Sequence, residues 1–381
     1  MQCDYWDAGV CRSCTLIETP YARQLADKQT HVETLLAPLA PDLAWLSPVG
    51  SAESGFRTKA KMVVAGTTDA PTLGILDAAG HGTDLQHCGL YPEPLAAAFP
   101  VLADFVTRAR LEPYSVPHRR GELKHILVTL APDDRLMVRF VMRSTEAHTR
   151  LVKHLPWLRE ALPSLHVATL NVLPEHKAVT EGEREIVLTD ADTLPITLGA
   201  VPLHLGPRSF FQTNTEVAMR LYAQVADWVN EVAPATLWDL YCGVGGLALH
   251  SLARGRTVTG VEISDAAIDA ARLSAAQMAQ AGVVGADRVT FVAADAVAWA
   301  GEQASRPEAV VVNPPRRGLG SELTAWLESS GTDAIIYSSC NPATLARDMA
   351  DMPSYVARTA RLFDMFPHTG HGEVAVLMTR R

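Results

Sequence analysis

Apolar positions along the chain fall into two regimes of spacing. Over residues 22–39, Leu25, Leu35, Leu36 and Leu39 recur at helical intervals, with His31 among them. The run closes before Pro41, so the spacing predicts one amphipathic helix. From Gly55 to about Val201 the period shortens towards two. Residues 59–64, 126–130, 136–142, 167–172 and 185–188 predict strands, and residues 147–162 predict a helix between them. After Leu205 the two kinds of signal alternate. A helix is predicted over 215–232. Strands follow at 236–240, 258–261, 289–292, 310–312 and 334–336, and then a helix over 345–352. Two late strands, at 360–366 and 374–378, close the chain as an antiparallel edge hairpin. Alternation of this kind predicts a mostly parallel, doubly wound sheet.

The fold class read from this pattern is α/β. A strand-rich α+β region over 1–205, bearing most of the cysteines, precedes a Rossmann-like domain over 206–381. The helix at 22–39 is expected to pack on the second domain despite its position. A chain of 381 residues exceeds what one core organises. Its 48% hydrophobic and 20% charged residues are those of an ordinary globular protein. No apolar run reaches the length of a membrane span. Residues 1–6 are neither basic nor a long apolar stretch, so a cytoplasmic location is expected. A net charge of −9 and a pI near 5.8 exclude non-specific coating of nucleic acid. They leave room for a local basic groove.

The chemistry gathers at predicted strand ends. Cys340 follows the apolar run 334–336, where open α/β sheets place reactive groups. Glu373, in His371-Gly372-Glu373-Val374, stands at the mouth of the last strand. A thiol nucleophile and a carboxylate base at one sheet edge suit covalent chemistry on an electron-poor carbon. The loop Gly243-x-Gly245-Gly246 lies between a strand and a helix, and Glu262 closes the next strand roughly 20 residues on. That spacing grips ribose hydroxyls. Ala248 and Asp239 depart from the dinucleotide fingerprint and favour S-adenosylmethionine, which has no pyrophosphate to hold. Asp295 is a candidate for the adenine amino group. Asn313, ahead of the rigid Pro314-Pro315 turn, and Gln212, ahead of a predicted helix, are candidate cofactor contacts. Together these features suggest a methyltransferase working through a cysteine adduct.

Four of the six cysteines, Cys3, Cys11, Cys14 and Cys88, fall in the first quarter of the chain. Such a set can hold zinc or an iron–sulfur cluster, and spacing alone does not choose. Arg57, Lys59 and Lys61 alternate, and at strand periodicity they share one face. With Phe56, His118, Arg119, Arg120, Lys124, Arg316 and Arg317 they make a candidate phosphate-binding surface.

Asp239-Leu240-Tyr241-Cys242-Gly243-Val244-Gly245, Asn313-Pro314-Pro315-Arg316, Ser338-Ser339-Cys340-Asn341-Pro342 and the stretch from Phe363-Asp364-Met365-Phe366-Pro367-His368-Thr369 to Glu373 resemble the RNA uracil-C5 methyltransferases. Ser209-Phe210-Phe211-Gln212-Thr213-Asn214 fits the same family. Segments around Cys3–Cys14, Gly55–Met62, Leu90–Pro92 and Arg120–Lys124 extend the resemblance, towards members acting on 23S rRNA. Asn313 stands where relatives often carry aspartate, and Tyr241 where phenylalanine is usual. The resemblance implies Cys340 as nucleophile and Glu373 as base. It implies S-adenosyl-L-methionine held by Gln212, Tyr241, Glu262 and Asn313. It also implies a [4Fe-4S] cluster, rather than zinc, on Cys3, Cys11, Cys14 and Cys88. The implied substrate is a single-stranded loop uridine of 23S rRNA, in a hairpin loop of domain II, with another 23S rRNA or tRNA uridine as the alternative. No DNA or membrane partner is implied, and the protein is expected to be a monomer.

Overall fold

The structure, a computed structural model, describes residues 1–177 and 179–381. The chain opens with helices α1 (Asp4–Asp7) and α2 (Tyr21–Leu36) and strands β1 (Ala44–Trp45), β2 (Lys59–Gly66), β3 (Pro71–Leu76) and β4 (Gly82–Asp84). Helices α3 (Glu93–Ala96) and α4 (Ala98–Arg108) lead to β5 (Leu123–Leu130), β6 (Leu136–Met142), α5 (His148–Ala161) and β7 (Leu165–Val172). Strands β8 (Arg184–Val187), β9 (Leu194–Leu198) and β10 (Val201–Leu205) precede α6 (Thr215–Val232). Then come β11 (Thr236–Leu240), α7 (Gly246–His250), β12 (Thr257–Glu262), α8 (Asp265–Gln280), β13 (Val289–Ala293) and α9 (Ala296–Glu302). The chain ends with β14 (Ala309–Val312), α10 (Ser321–Ser330), β15 (Ala334–Ser339), α11 (Pro342–Ala350), β16 (Tyr355–Phe363) and β17 (Glu373–Arg380).

These elements form two compact units. The first comprises Met1–Cys14 and Ala52–Ile196, the second Thr15–Ser51 and Thr197–Arg381. The division falls at 196/197 rather than after Leu205, because β10 packs on α8 of the second unit.

The first unit is built on a seven-stranded sheet ordered β4-β3-β2-β5-β6-β7-β8. Pairings are antiparallel except β6 with β7, which α5 connects as a crossover. One face buries Phe99, Leu102, Phe105 and Phe140. Sequence spacing did not indicate α3 and α4, since Pro94 and Pro100 read as breakers. Both prolines sit in first helical turns, where the missing amide costs nothing. On the opposite face Arg139, 1% exposed, is paired with Glu185 at 2.6 Å and with Glu181 at 2.5 Å.

The second unit carries an eight-stranded sheet ordered β1-β16-β17-β15-β14-β11-β12-β13. Strands β11 to β15 are parallel, and β17 runs antiparallel between β15 and β16. The closing pair is therefore not the edge itself, because β1 adds parallel to β16 beyond it. Strand β16 begins at Tyr355, five residues before its expected start, and stops at Phe363 where the chain leaves for a loop. Helix α2 ends at Leu36, short of residue 39, because Pro38 has no amide to continue the hydrogen-bond ladder. Strand order reverses between β11 and β14, so a crevice opens beyond their carboxyl ends.

Candidate active site

Three left-handed residues turn the chain after β11: Tyr241 at φ +67°, Gly243 at +54° and Gly245 at +82°. A side chain at Gly245 would lie 2.8 Å from the Phe291 ring, so only glycine fits there. At Gly243 an added carbon would meet nothing within 4 Å, which leaves the loop open to a ligand. Glu262, ending β12, accepts from the amides of Gly243 (3.3 Å) and Ser264 (3.1 Å). Beneath the loop, Asp239 accepts from the Ala248 amide at 2.8 Å, and burial pushes its carboxyl up to about 7. Tyr241 is raised by burial first, then by the charge of Asp295, while Arg317 pulls it down. Asp295 caps α9 through the amides of Val297 and Ala298, both at 3.0 Å, so one of its oxygens is already engaged.

Asn313 leaves β14 half-buried, and Gln212 lies 6% exposed before α6. Neither amide is hydrogen-bonded to another described residue, so both retain donors and acceptors for a ligand. Asn214 caps α6, accepting from the Val217 amide. Phe211 is buried but Phe210 is 75% exposed, so the two rings do not form one buried pair.

Strands β15 and β17 bring the two expected reactive groups together. Ser339 pairs with Val374 in antiparallel register, which sets Cys340 opposite Glu373 across the sheet end. Glu373 is 1% exposed and accepts from Ser338 Oγ at 2.5 Å. Burial raises its carboxyl to about 7, against the lowering effect of the Ser338 hydroxyl. The half-buried Cys340 thiol is raised by burial and then by the Glu373 charge, while Arg316 draws it down. Asn341 caps α11 and donates to the Arg316 carbonyl at 3.0 Å, tying the Pro-Pro turn to the cysteine loop. A cavity of about 340 Å³ opens at Cys340, lined also by Gln24, Lys28, His31, Arg316 and His371. Sequence reasoning had not found the contribution of α2 to this cavity. Asp364 and His368 were in view as motif residues, but their partners on α2 lie more than three hundred positions away.

In the first unit, Cys3, Cys11, Cys14 and Cys88 are half-buried thiols without disulfides. Burial, then the charges of Cys88, Cys11 and Cys3, push Cys14 up to about 11. Cys88 is raised in the same way, with Arg57 lowering both. The four sulfurs thus share one electrostatic neighbourhood. Among the described residues, no group of three or more metal-ligating side chains is placed to hold a metal ion.

The basic stripe differs from its sequence reading. Arg57 precedes β2 and bends back to the Lys59 carbonyl at 3.1 Å. Lys59 is largely buried, and desolvation with the Lys61 and Arg139 charges lowers it to about 8. Phe56 is buried and offers no stacking face. Lys124 is buried too, donating to the Glu175 carbonyl at 2.7 Å. Lys61, His118, Arg119, Arg120, Arg316 and Arg317 remain exposed. No helix among the described residues is long and apolar enough to cross a membrane.

Comparison with known proteins adds three findings. Residues 189–381 match the family described as tRNA (Uracil-5-)-methyltransferase. The chain is 46% identical over 381 residues to a 23S rRNA (uracil(747)-C(5))-methyltransferase RlmC of Pectobacterium atrosepticum, covering all of both. It is 47% identical over 382 residues to the protein of that name from Yersinia pestis, again covering both completely. Among solved structures, the Pyrococcus abyssi tRNA (uracil-54, C5)-methyltransferase in complex with S-adenosyl-L-homocysteine superposes with a TM-score of 0.76 at 23% identity. That match covers 96% of this chain and 85% of the other, and shows that the two share a fold.

Proposed function

Because the chain belongs to the tRNA (uracil-5-)-methyltransferase family, we propose that its cavity is the active site of a 23S rRNA (uracil-C5)-methyltransferase. The substrate is a uridine corresponding to the uracil 747 named for its relatives, and the product is 5-methyluridine. The observation that carries the chemistry is the register of β15 and β17, which opposes a thiol to a buried carboxylate at one end of the sheet.

Uracil C5 is too weak a nucleophile to attack a methyl donor unaided. Cys340 thiolate adds to C6, and the displaced electron pair makes C5 enolate-like. Arg316 favours the thiolate by its charge. S-adenosyl-L-methionine, when bound, supplies an electrophilic methyl group. Gln212, Tyr241, Glu262 and Asn313 are assigned to hold it. Three observations support that fit: the open space at Gly243, the unbonded amides of Gln212 and Asn313, and the carboxylate of Glu262 at the strand end. Glu373 removes the C5 proton after methylation, the C5=C6 bond re-forms, and the sulfur leaves C6 as thiolate. A carboxyl raised towards 7 is suited to taking that proton near neutral pH.

The target base has to leave its stack to reach Cys340, so a single-stranded hairpin loop is the fitting substrate. We assign Cys3, Cys11, Cys14 and Cys88 to a [4Fe-4S] cluster rather than zinc. Support comes from the mutual charge effects of the four thiols. The protein acts in the cytoplasm as a monomer.

The test is methyl transfer from labelled S-adenosyl-L-methionine to unmethylated 23S rRNA, mapped by nuclease digestion and mass spectrometry. A single 5-methyluridine at the position homologous to 747 is expected. The family description and the solved relative both name tRNA, so tRNA is the second substrate to assay. Label in tRNA alone would keep the mechanism and overturn the target.

A further inference from the structure

The loop 364–372 joins β16 to β17 and delivers Glu373, and helix α2 fastens it at two points. At its start, Lys28 Nζ donates to Asp364 Oδ1 at 2.7 Å and to the Phe366 carbonyl at 3.0 Å. Both charged side chains are buried, at 6% and 0% exposure. At its middle, the His368 amide donates to Gln24 Oε1 at 2.8 Å. Gln24 Nε2 in turn donates to the carbonyls of Leu16 and Thr19, and the Leu16 amide donates to the His368 carbonyl at 2.9 Å. His368 is fully buried at φ +64°, a backbone state that a histidine keeps only when its surroundings impose it. Gln24 and Lys28 also line the cavity that holds Cys340.

We propose that Lys28 and Gln24 are positioning residues for Glu373, latching the 364–372 loop so that the carboxylate meets the C5 proton of the methylated adduct. This rests on the reading of the site as a uracil-C5 methyltransferase. The latch acts on one half of the reaction. Thiol addition at C6 depends on Cys340, which α11 and the Pro-Pro turn hold independently through Asn341. Elimination depends on Glu373, whose approach the loop sets. In that step the C5–H pair becomes the C5=C6 bond, the proton passes to Glu373, and the C6–S pair returns to Cys340. Loosening the latch therefore stalls the enzyme after methyl transfer, with RNA still attached.

The experiment measures turnover and denaturation-resistant enzyme–RNA complex for Lys28→Met and Gln24→Leu, with Glu373→Gln and Cys340→Ala alongside. S-adenosyl-L-methionine binding and thermal unfolding report folding. Lys28→Met is expected to lose about 100-fold in turnover, the scale of an ångström-sized misplacement. Trapped complex should accumulate at a near-normal formation rate. Gln24→Leu, which strands no buried charge, is expected to lose about tenfold with the same trapping, and it decides the matter if Lys28→Met does not fold. Turnover unchanged in the folded variants, or falling in step with complex formation, would overturn the latch. Trapping by Glu373→Gln but by neither helix variant also overturns the latch alone. If Glu373→Gln traps nothing, or Cys340→Ala still turns over, the underlying reading fails and the latch with it.

Discussion

At the scale of single residues, the role proposed for Glu373 as base comes with a structural cost. Its carboxyl is raised above the unfolded value of about 4.5 to about 7 by burial. The folded state therefore holds a proton that the unfolded state has released between those values. The stability tied to this group is fully present below pH 4.5 and is lost as pH rises through 7. Glu373→Gln removes that loss, so the variant is expected to unfold at higher temperature than the parent at pH 8 and at nearly the same temperature at pH 5. Paired melting curves at the two pH values check this. In the parent enzyme the ionised base grows with pH through 7, so adduct breakdown should accelerate across that range in single-turnover assays. Cys340→Ala is expected to abolish methylation while binding the cofactor normally, as calorimetry would report. The reactive pair was legible in sequence because each group follows or precedes a plain apolar run. The partners of Asp364 and His368 were not, since nothing local marks Lys28 or Gln24 as theirs.

At the scale of elements, the loop after β14 shows how tightly the site is backed. Asp348 accepts from the Leu319 amide and from Tyr337 Oη, both at 2.7 Å. Gly318 sits against that carboxylate at φ +82°, and a methyl group there would overlap it. Gly318→Ala is expected to cost ~2 kcal/mol, lowering the melting temperature by several degrees. It should also weaken turnover, because Arg316 lies two residues upstream. Strands β14 and β15 were readable because burial on both faces favours apolar runs in them. Strands β1, β4, β9 and β10 escaped because they are short or pair only two deep. Helices α3 and α4 escaped because the prolines of their first turns look like interruptions. The place of β17, between β15 and β16, is a matter of sheet order that local pattern does not encode.

At the scale of the whole molecule, charge sits apart from the acidic average. Lys61, Arg119 and Arg120 are exposed, whereas Lys59 is half-buried and Lys124 buried in the first unit. Replacing Lys61, Arg119 and Arg120 together by alanine should weaken RNA binding and reduce the salt slope by about two to three. Titration of affinity against salt concentration tests this, and the same change at Lys59 alone should do less. For the cysteines, protein purified anaerobically is expected to carry about four irons and four sulfides per chain. Colourless, iron-free protein would contradict the cluster. The chain enters the second unit at Thr15, leaves it at Ser51 and returns at Thr197. Helix α2 emerges early from the ribosome, yet Asp364 lies 336 positions further on. A buried lysine and glutamine thus wait through almost the whole of translation for the segment that satisfies them. An interrupted chain lacking residues 364–372 leaves that helix with an apolar face and an unpaired cation, a ready target for chaperones and proteases. The proposed base, Glu373, can be delivered only by a chain that has been completed.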